Sequence, residues 1–115
     1  MKDCVFCKVI SGELPGKFVY KDREIVVFAD IAPRAPVHLL VVPRKHISST
    51  REVEDADQML LGKLFLIVKR VAEEAGISEL GYKLIVNNGA ASGQLVDHLH
   101  IHILGGWREK QVWKV

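Results

Sequence analysis

Asp97-His98-Leu99-His100-Ile101-His102-Ile103-Leu104, written DHLHIHIL, carries three of the five histidines of the chain at alternate positions. Along a β-strand successive side chains point to opposite faces. Read that way, His98, His100 and His102 share one face, while Leu99, Ile101 and Ile103 share the other and enter the core. The segment predicts a strand from Leu99 to Leu104, stopped by Gly105 and Gly106. Neighbouring histidines on such a strand stand about 6 to 7 Å apart at Cα, and the outer pair about 13 Å. Two adjacent rings can chelate one metal ion, but three on a straight strand cannot easily do so. Three readings are open. The rings form a solvated face, or a plain three-histidine zinc site, or they carry chemistry. A neutral imidazole titrates near pH 6.5 and is a good nucleophile. It can attack phosphorus while a protonated neighbour holds the phosphate oxygens. The fully apolar opposite face places the histidine row over something specific.

Working outward, Phe18–Tyr20 and Glu24–Ala29 predict two strands joined around Lys21-Asp22-Arg23-Glu24, with Val26 and Phe28 on one face and Ile25 and Val27 on the other. Asp30–Pro36 (DIAPRAP) contains two prolines and predicts a loop leaving the sheet. Val37–Val42 is a β-branched run ended by Pro43, and Tyr82–Asn87 alternates as a strand. From Ala56 to Ala75, apolar residues at 60, 64, 67, 68, 71 and 75 follow a helical period. Asp55 is the expected cap, with Gln58 three positions on, and Gly76 closes the helix. Leu61, Phe65 and Ala72 add a second stripe, either for a partner subunit or for a small fold that wraps the helix closely. Cys4–Ile10 predicts a short N-terminal helical turn, broken by Ser11–Gly16. The sum is an α+β chain with a mainly antiparallel sheet of about five strands, one long helix and a short N-terminal helix.

Composition narrows the partners. A 115-residue chain with 49% hydrophobic residues can bury a core as a single domain, residues 1–115. Its net charge of +2 is spread without a basic block, so neither nucleic acid nor an anionic membrane surface is an expected partner. Its apolar runs fall short of the roughly 20 residues that cross a bilayer, and no signal-peptide core is visible at the N-terminus. A cytoplasmic location is expected. There Cys4-x-x-Cys7 favours a metal or a redox couple over a disulfide, although no thioredoxin-like βαβ pattern surrounds it.

His-Leu-His-Ile-His-Ile-Leu resembles the signature of the histidine triad (HIT) superfamily. VFCKVISGELP, VFADIAPRAPVHLLVVPRKHIS and GYKLIVNNGAASGQLVDHLHIHILGG, in that order, resemble its Hint branch, the adenosine phosphoramidases. The resemblance implies the HIT fold, a homodimer in which two sheets join, and hydrolysis of purine nucleoside phosphoramidates. It makes His100 the nucleophile that forms a nucleotidyl-histidine intermediate. It makes His102 the residue that binds phosphate oxygens and helps the leaving group take a proton, and His38 a member of the same proton network; without the resemblance, His38 reads as a core histidine. Asp30 corresponds to the ribose-binding acid, since a carboxylate can accept from both hydroxyls. Ile31, Phe6, Ile10 and Phe28 correspond to walls for the base, and Asn87, Gly93 and Gln94 to the phosphate loop. Cys4, Cys7, His46 and His98 match the quartet that zinc-binding relatives use, a closed Cys2His2 set and therefore structural. No organic cofactor is implied. Leu95 stands where many relatives carry a serine, and Trp113 lies near the C-terminal tryptophan of some relatives at a different spacing. Two further functions share this histidine: dinucleoside polyphosphate hydrolysis or nucleotidyl transfer. A non-catalytic purine-nucleotide-binding protein is the third.

Overall fold

The alternating apolar segments pair into one antiparallel sheet, in a computed structural model that describes residues 3–112; Trp113 lies outside them. The strands are β1 (Phe18–Lys21), β2 (Ile25–Ala29), β3 (Val37–Pro43), β4 (Tyr82–Ile85) and β5 (Ile101–Gly105), in the spatial order β1-β2-β3-β5-β4. The helices are α1 (Val5–Ser11) and α2 (Gln58–Glu74). The α+β class, the five strands and the two helices follow the sequence reading.

Each face of the sheet has its own core, and strand alternation assigns the residues. Ile25 and Val27 of β2, Leu39 and Val41 of β3, and Ile101 and Ile103 of β5 pack against Leu64, Ile67, Val68, Val71 and Ala72 of α2. Val26 and Phe28, with Leu40 and Val42, pack on the other face against Phe6 and Val9 of α1. The two-faced reading of β2 therefore holds residue by residue. Register fixes the histidines to the α1 face. His102 lies opposite Leu40, which lies opposite Phe28, and His38 is two positions along β3 from Leu40.

Element ends elsewhere shift by one residue, β5 running on through Gly105, the residue expected to stop it, and four larger details differ from the sequence expectations. First, β5 begins at Ile101, so Leu99 lies outside the strand, as do His98 and His100. The side-chain alternation nevertheless persists through this bend, since Leu99 is buried in the α2-side core. Second, Asp55–Asp57 is a 3₁₀ turn and α2 starts at Gln58 rather than Ala56. Its entry is held by Asp57, whose carboxylate accepts from the Glu54 N–H at 3.0 Å, so the reciprocal pair sits one residue earlier than Asp55 and Gln58. Third, Ala72 belongs to the core stripe, while Phe65, Leu66 and Met59 are exposed. Fourth, β4 ends at Ile85, two residues short of Asn87.

The C-terminal end of α2 is as expected. Gly76 takes φ +73°, its N–H donates to the Glu73 carbonyl at 3.0 Å, and the Ile77 N–H donates to the Ala72 carbonyl at 3.1 Å. This double closure requires the left-handed backbone that glycine adopts without strain.

Candidate functional site

The α1 face of β3 and β5 holds two clusters of ligating side chains. Cys4, Cys7, His46 and His98 bring one donor atom each within 4.8 Å of one another, and so do Asp30, His38 and His102. Different elements supply each member. Cys4 caps α1 and accepts from the Cys7 N–H at 3.3 Å, which places both sulfurs at the same end of the helix. His46 follows the end of β3, and His98 lies in the bend before β5.

The first cluster fits a cation. Cys4 Sγ is 3.3 Å and Cys7 Sγ 3.5 Å from His98 Nδ1, and Cys7 Sγ is 3.4 Å from His46 Nδ1. Metal–ligand bonds of about 2.0 to 2.3 Å give tetrahedral edges of roughly 3.3 to 3.8 Å. The tautomer fits too. His98 Nε2 lies 2.7 Å from the Pro43 carbonyl, which can only accept. The proton therefore sits on Nε2 and leaves the Nδ1 lone pair facing the thiols, the arrangement of a metal-binding histidine with its outer hydrogen bond in place. Burial is complete at His98 (0% exposed) and pushes its imidazolium down to about 4. Burial and the neighbouring Cys4 push the Cys7 thiol up, so only a cation would hold it as thiolate.

The second cluster has a different proton arrangement. The Arg34 N–H donates to His38 Nδ1 at 3.0 Å. Neutral His38 must then carry its proton on Nε2, which is 2.9 Å from His102 Nδ1 and 3.4 Å from Asp30 Oδ2. His102 Nδ1 accepts, so His102 carries its own proton on Nε2. The chain runs in one direction, from the Arg34 N–H through two imidazoles to an N–H donor with no partner among the described residues. Asp30 is held as well, its Oδ1 accepting from the Ala32 N–H at 2.8 Å. Burial lowers the pKa of His38, with Asp30 opposing. His102 is pushed down to about 4, by burial first and then by the charges of His100, His38 and Arg34, against Asp30. A cation does not fit between His38 Nε2 and His102 Nδ1, because His38 has no lone pair left to offer there.

His100 stands between the clusters. Its Nδ1 donates to the His98 carbonyl at 2.6 Å, which leaves a lone pair on Nε2. Its ring is 4.9 Å from that of His102 and meets Phe6 edge-on at 4.9 Å. Burial lowers its pKa, against the His98 carbonyl and Asp30, so the neutral form is favoured. A neutral imidazole with one free nitrogen beside an N–H donor is equipped to attack an electrophilic phosphorus and hold its oxygens.

The remaining candidates are distributed as follows. Phe6 and Phe28 are buried and in edge contact at 5.4 Å, with Ile10 packed beside them. Ile31 is 97% exposed. Asn87 donates to the Ser92 carbonyl at 2.9 Å, and Gly93, at φ +98°, closes the turn between them. Gln94 is buried, and its amide is fully engaged: it accepts from the Gly89 N–H at 2.7 Å and donates to the Ser48 and Val96 carbonyls at 2.7 and 3.0 Å. Its side chain thus shapes the 87–94 loop from within. Leu95 is 91% exposed next to it, and Asp97 is exposed. Sequence reasoning missed the Arg34 N–H and the Pro43 carbonyl, since backbone groups carry no residue-type signal.

Known proteins share this fold. A family profile described as HIT domain matches residues 11–109. Protein HitA of Neisseria gonorrhoeae is 45% identical over 105 residues, which cover 91% of this chain and 97% of that protein. The solved structure of a HIT family hydrolase from Clostridium thermocellum superposes with a TM-score of 0.92 at 41% identity, covering 98% of this chain and 99% of the other. One of a HIT family hydrolase from Legionella pneumophila gives 0.89 at 43% identity, covering 92% and 95%.

Proposed function

The chain belongs to the HIT domain family, and from that premise we propose that it is a nucleotide hydrolase of the Hint branch, cleaving the P–N bond of purine nucleoside phosphoramidates. The observation that carries the reading is the pair of oriented imidazoles: His100 with a free Nε2 lone pair, and His102 with a free Nε2–H.

In this reading His100 Nε2 attacks the α-phosphorus as the P–N bond breaks. The nitrogen leaves with the bonding pair and takes a proton from solvent. His102 Nε2–H donates to the phosphate oxygens, and its hydrogen bond from His38 keeps that proton in place. Water then attacks the nucleotidyl-histidine, releases the nucleoside monophosphate and restores neutral His100. Asp30 accepts from the ribose hydroxyls with the lone pairs left beside its Ala32 contact. Phe6, Phe28, Ile10 and Ile31 wall the base, and the backbone of the 87–94 loop frames the phosphate.

Cys4, Cys7, His46 and His98 would hold zinc. Four protein ligands leave no open position for water, so the ion supplies a cross-link between α1 and the segments around His46 and His98. A homodimer is supported by the half-exposed Leu84 of β4 and by the exposed Phe65, Leu66 and Met59 of α2. No helix among the described residues is long and apolar enough to cross a membrane, and a cytoplasmic location is part of the proposal.

The test is release of adenosine monophosphate from an adenosine phosphoramidate by the wild type and by His100→Ala. Turnover that drops on the order of 10⁴-fold in the variant, with nucleotide binding retained, supports the reading. A folded wild type that binds the nucleotide without releasing product overturns it.

A further inference from the structure

Ile31 and Leu95 are the two most exposed large apolar side chains among the described residues, at 97% and 91%. Single exposed hydrophobics are ordinary on a protein surface. These two are set apart by where they stand. Ile31 follows Asp30, whose Oδ2 is 3.4 Å from His38 Nε2, and that nitrogen is 2.9 Å from His102 Nδ1. Ile31 therefore belongs to the His102 end of the histidine row. Leu95 precedes Val96, whose carbonyl accepts from the His98 N–H at 2.9 Å. Leu95 belongs to the His98 end. His100 lies between them in the row, so the nucleophile is bracketed by an exposed apolar side chain at either end.

The fold holds Leu95 in that position. Gln94 before it is buried, with its amide spent on Gly89, Ser48 and Val96. Val96 after it is half-buried and packs on the α1-side core that contains Phe6, the ring that meets His100 edge-on. Both neighbours are turned inward, and Leu95 between them is turned out, on the border of the site. Charge is sparse in this segment. Residues 87–97 contain no lysine or arginine, and their one ionisable side chain is Asp97. An anionic group finds no cationic side chain in this loop, whereas an apolar group finds Leu95.

We propose that Leu95 is a specificity-determining residue: it contacts the leaving amine and selects one that carries an uncharged, apolar group. The inference rests on the reading that Asp30 and Ile31 hold the nucleoside of a phosphoramidate. In an in-line displacement the amine leaves from the side of the phosphorus opposite His100 Nε2, toward the rim of the site. The nucleoside occupies the Ile31 side of that rim, which leaves the Leu95 side to the amine. Contact with a phenyl group removes apolar surface of both partners from water, and a hydroxylated amine offers no such surface.

The test uses the full chain carrying His100→Ala, so that intact compounds bind at equilibrium, and two adenosine phosphoramidates, one of phenylethylamine and one of ethanolamine. Dissociation constants are measured by calorimetry with Leu95 unchanged, with Leu95→Ser and with Leu95→Met. The phenylethyl compound is expected to bind about tenfold more tightly than the hydroxyethyl compound with Leu95 unchanged and in Leu95→Met, and within about twofold of it in Leu95→Ser. A preference that is the same in all three proteins, or absent with Leu95 unchanged, overturns the proposal. Failure of both compounds to bind overturns it too. Release of adenosine monophosphate by protein with His100 intact is measured in parallel. A preference that depends on Leu95, without turnover, leaves this inference standing and removes the hydrolase reading. Turnover of both compounds without that preference does the reverse.

Discussion

Two clusters on one face of the sheet are built from nearly the same parts. Cys4, Cys7, His46 and His98 form one, and Asp30, His38 and His102 the other, each with its donor atoms within 4.8 Å. Two thiols mark the first and one carboxylate the second, but residue type does not say which nitrogen of each histidine carries the proton. The group at the far side of each ring does. The Pro43 carbonyl accepts from His98 and turns a lone pair toward the thiols. The Arg34 N–H donates to His38 and turns a proton toward His102. One histidine is thereby prepared as a ligand and the other as a hydrogen-bond donor. The difference teaches that a histidine's job is set by the partner of its second nitrogen, and in both clusters that partner is backbone.

The comparison can be broken or sharpened. Of the changes that separate the two clusters, the largest effect is expected from His102→Ala, which removes the terminal N–H donor. Turnover should fall by roughly 10³-fold while the zinc content stays that of the wild type, read by elemental analysis of the assayed sample. A parallel loss of zinc would merge the two clusters into one site. A smaller and more pointed effect is expected from Arg34→Pro, which deletes only the N–H that orients His38. Freed of that donor, His38 can place its proton on Nδ1 and offer Nε2 as a ligand. The variant should take up a second zinc equivalent, and lose about tenfold in turnover without zinc in excess. Unchanged stoichiometry would show that something other than the Arg34 N–H keeps cations out.

The smallest effect concerns pH. Burial holds the His102 imidazolium at about 4, aided by the charges of His100, His38 and Arg34 and opposed by Asp30. Unfolded histidine titrates near 6.5. Between those values the unfolded chain binds more protons, so stability declines as pH falls from about 6.5 toward 4. His102→Asn should therefore lose less stability than the wild type between pH about 7 and about 5, measured from urea unfolding midpoints. Equal losses would show that His102 is not held neutral by the fold.

Much of this was legible in the chain. Alternation divided β2 correctly between two cores because both its faces are buried and apolar residues occupy every position from Ile25 to Phe28. Gly76 ended α2 as read, since its left-handed closure depends on local backbone alone. The start of α2 was misread by one pair of residues. Glu54 and Asp57 offer the same chemistry as Asp55 and Gln58, and a sequence does not say which acidic residue turns inward. The strand carrying the histidines was read too long for a related reason. Side-chain alternation continues from Leu99 to Ile103, but the ladder bonds begin only at Ile101. The His98 ring goes to the Pro43 carbonyl and the His100 ring to the His98 carbonyl instead. Gln94 was grouped with the phosphate loop, and its amide proves to be spent on Gly89, Ser48 and Val96. Ser48 is 46 residues away in sequence, and no local pattern announces such a partner.

The central claim is that the row His98-His100-His102 divides, the first ring serving a metal and the other two a phosphate. Metal stoichiometry across the three single alanine variants, on folded protein, tests it most directly. The account predicts close to one zinc per chain in His100→Ala and His102→Ala, and almost none in His98→Ala. Zinc retained by His98→Ala, or lost from either of the others, would contradict it.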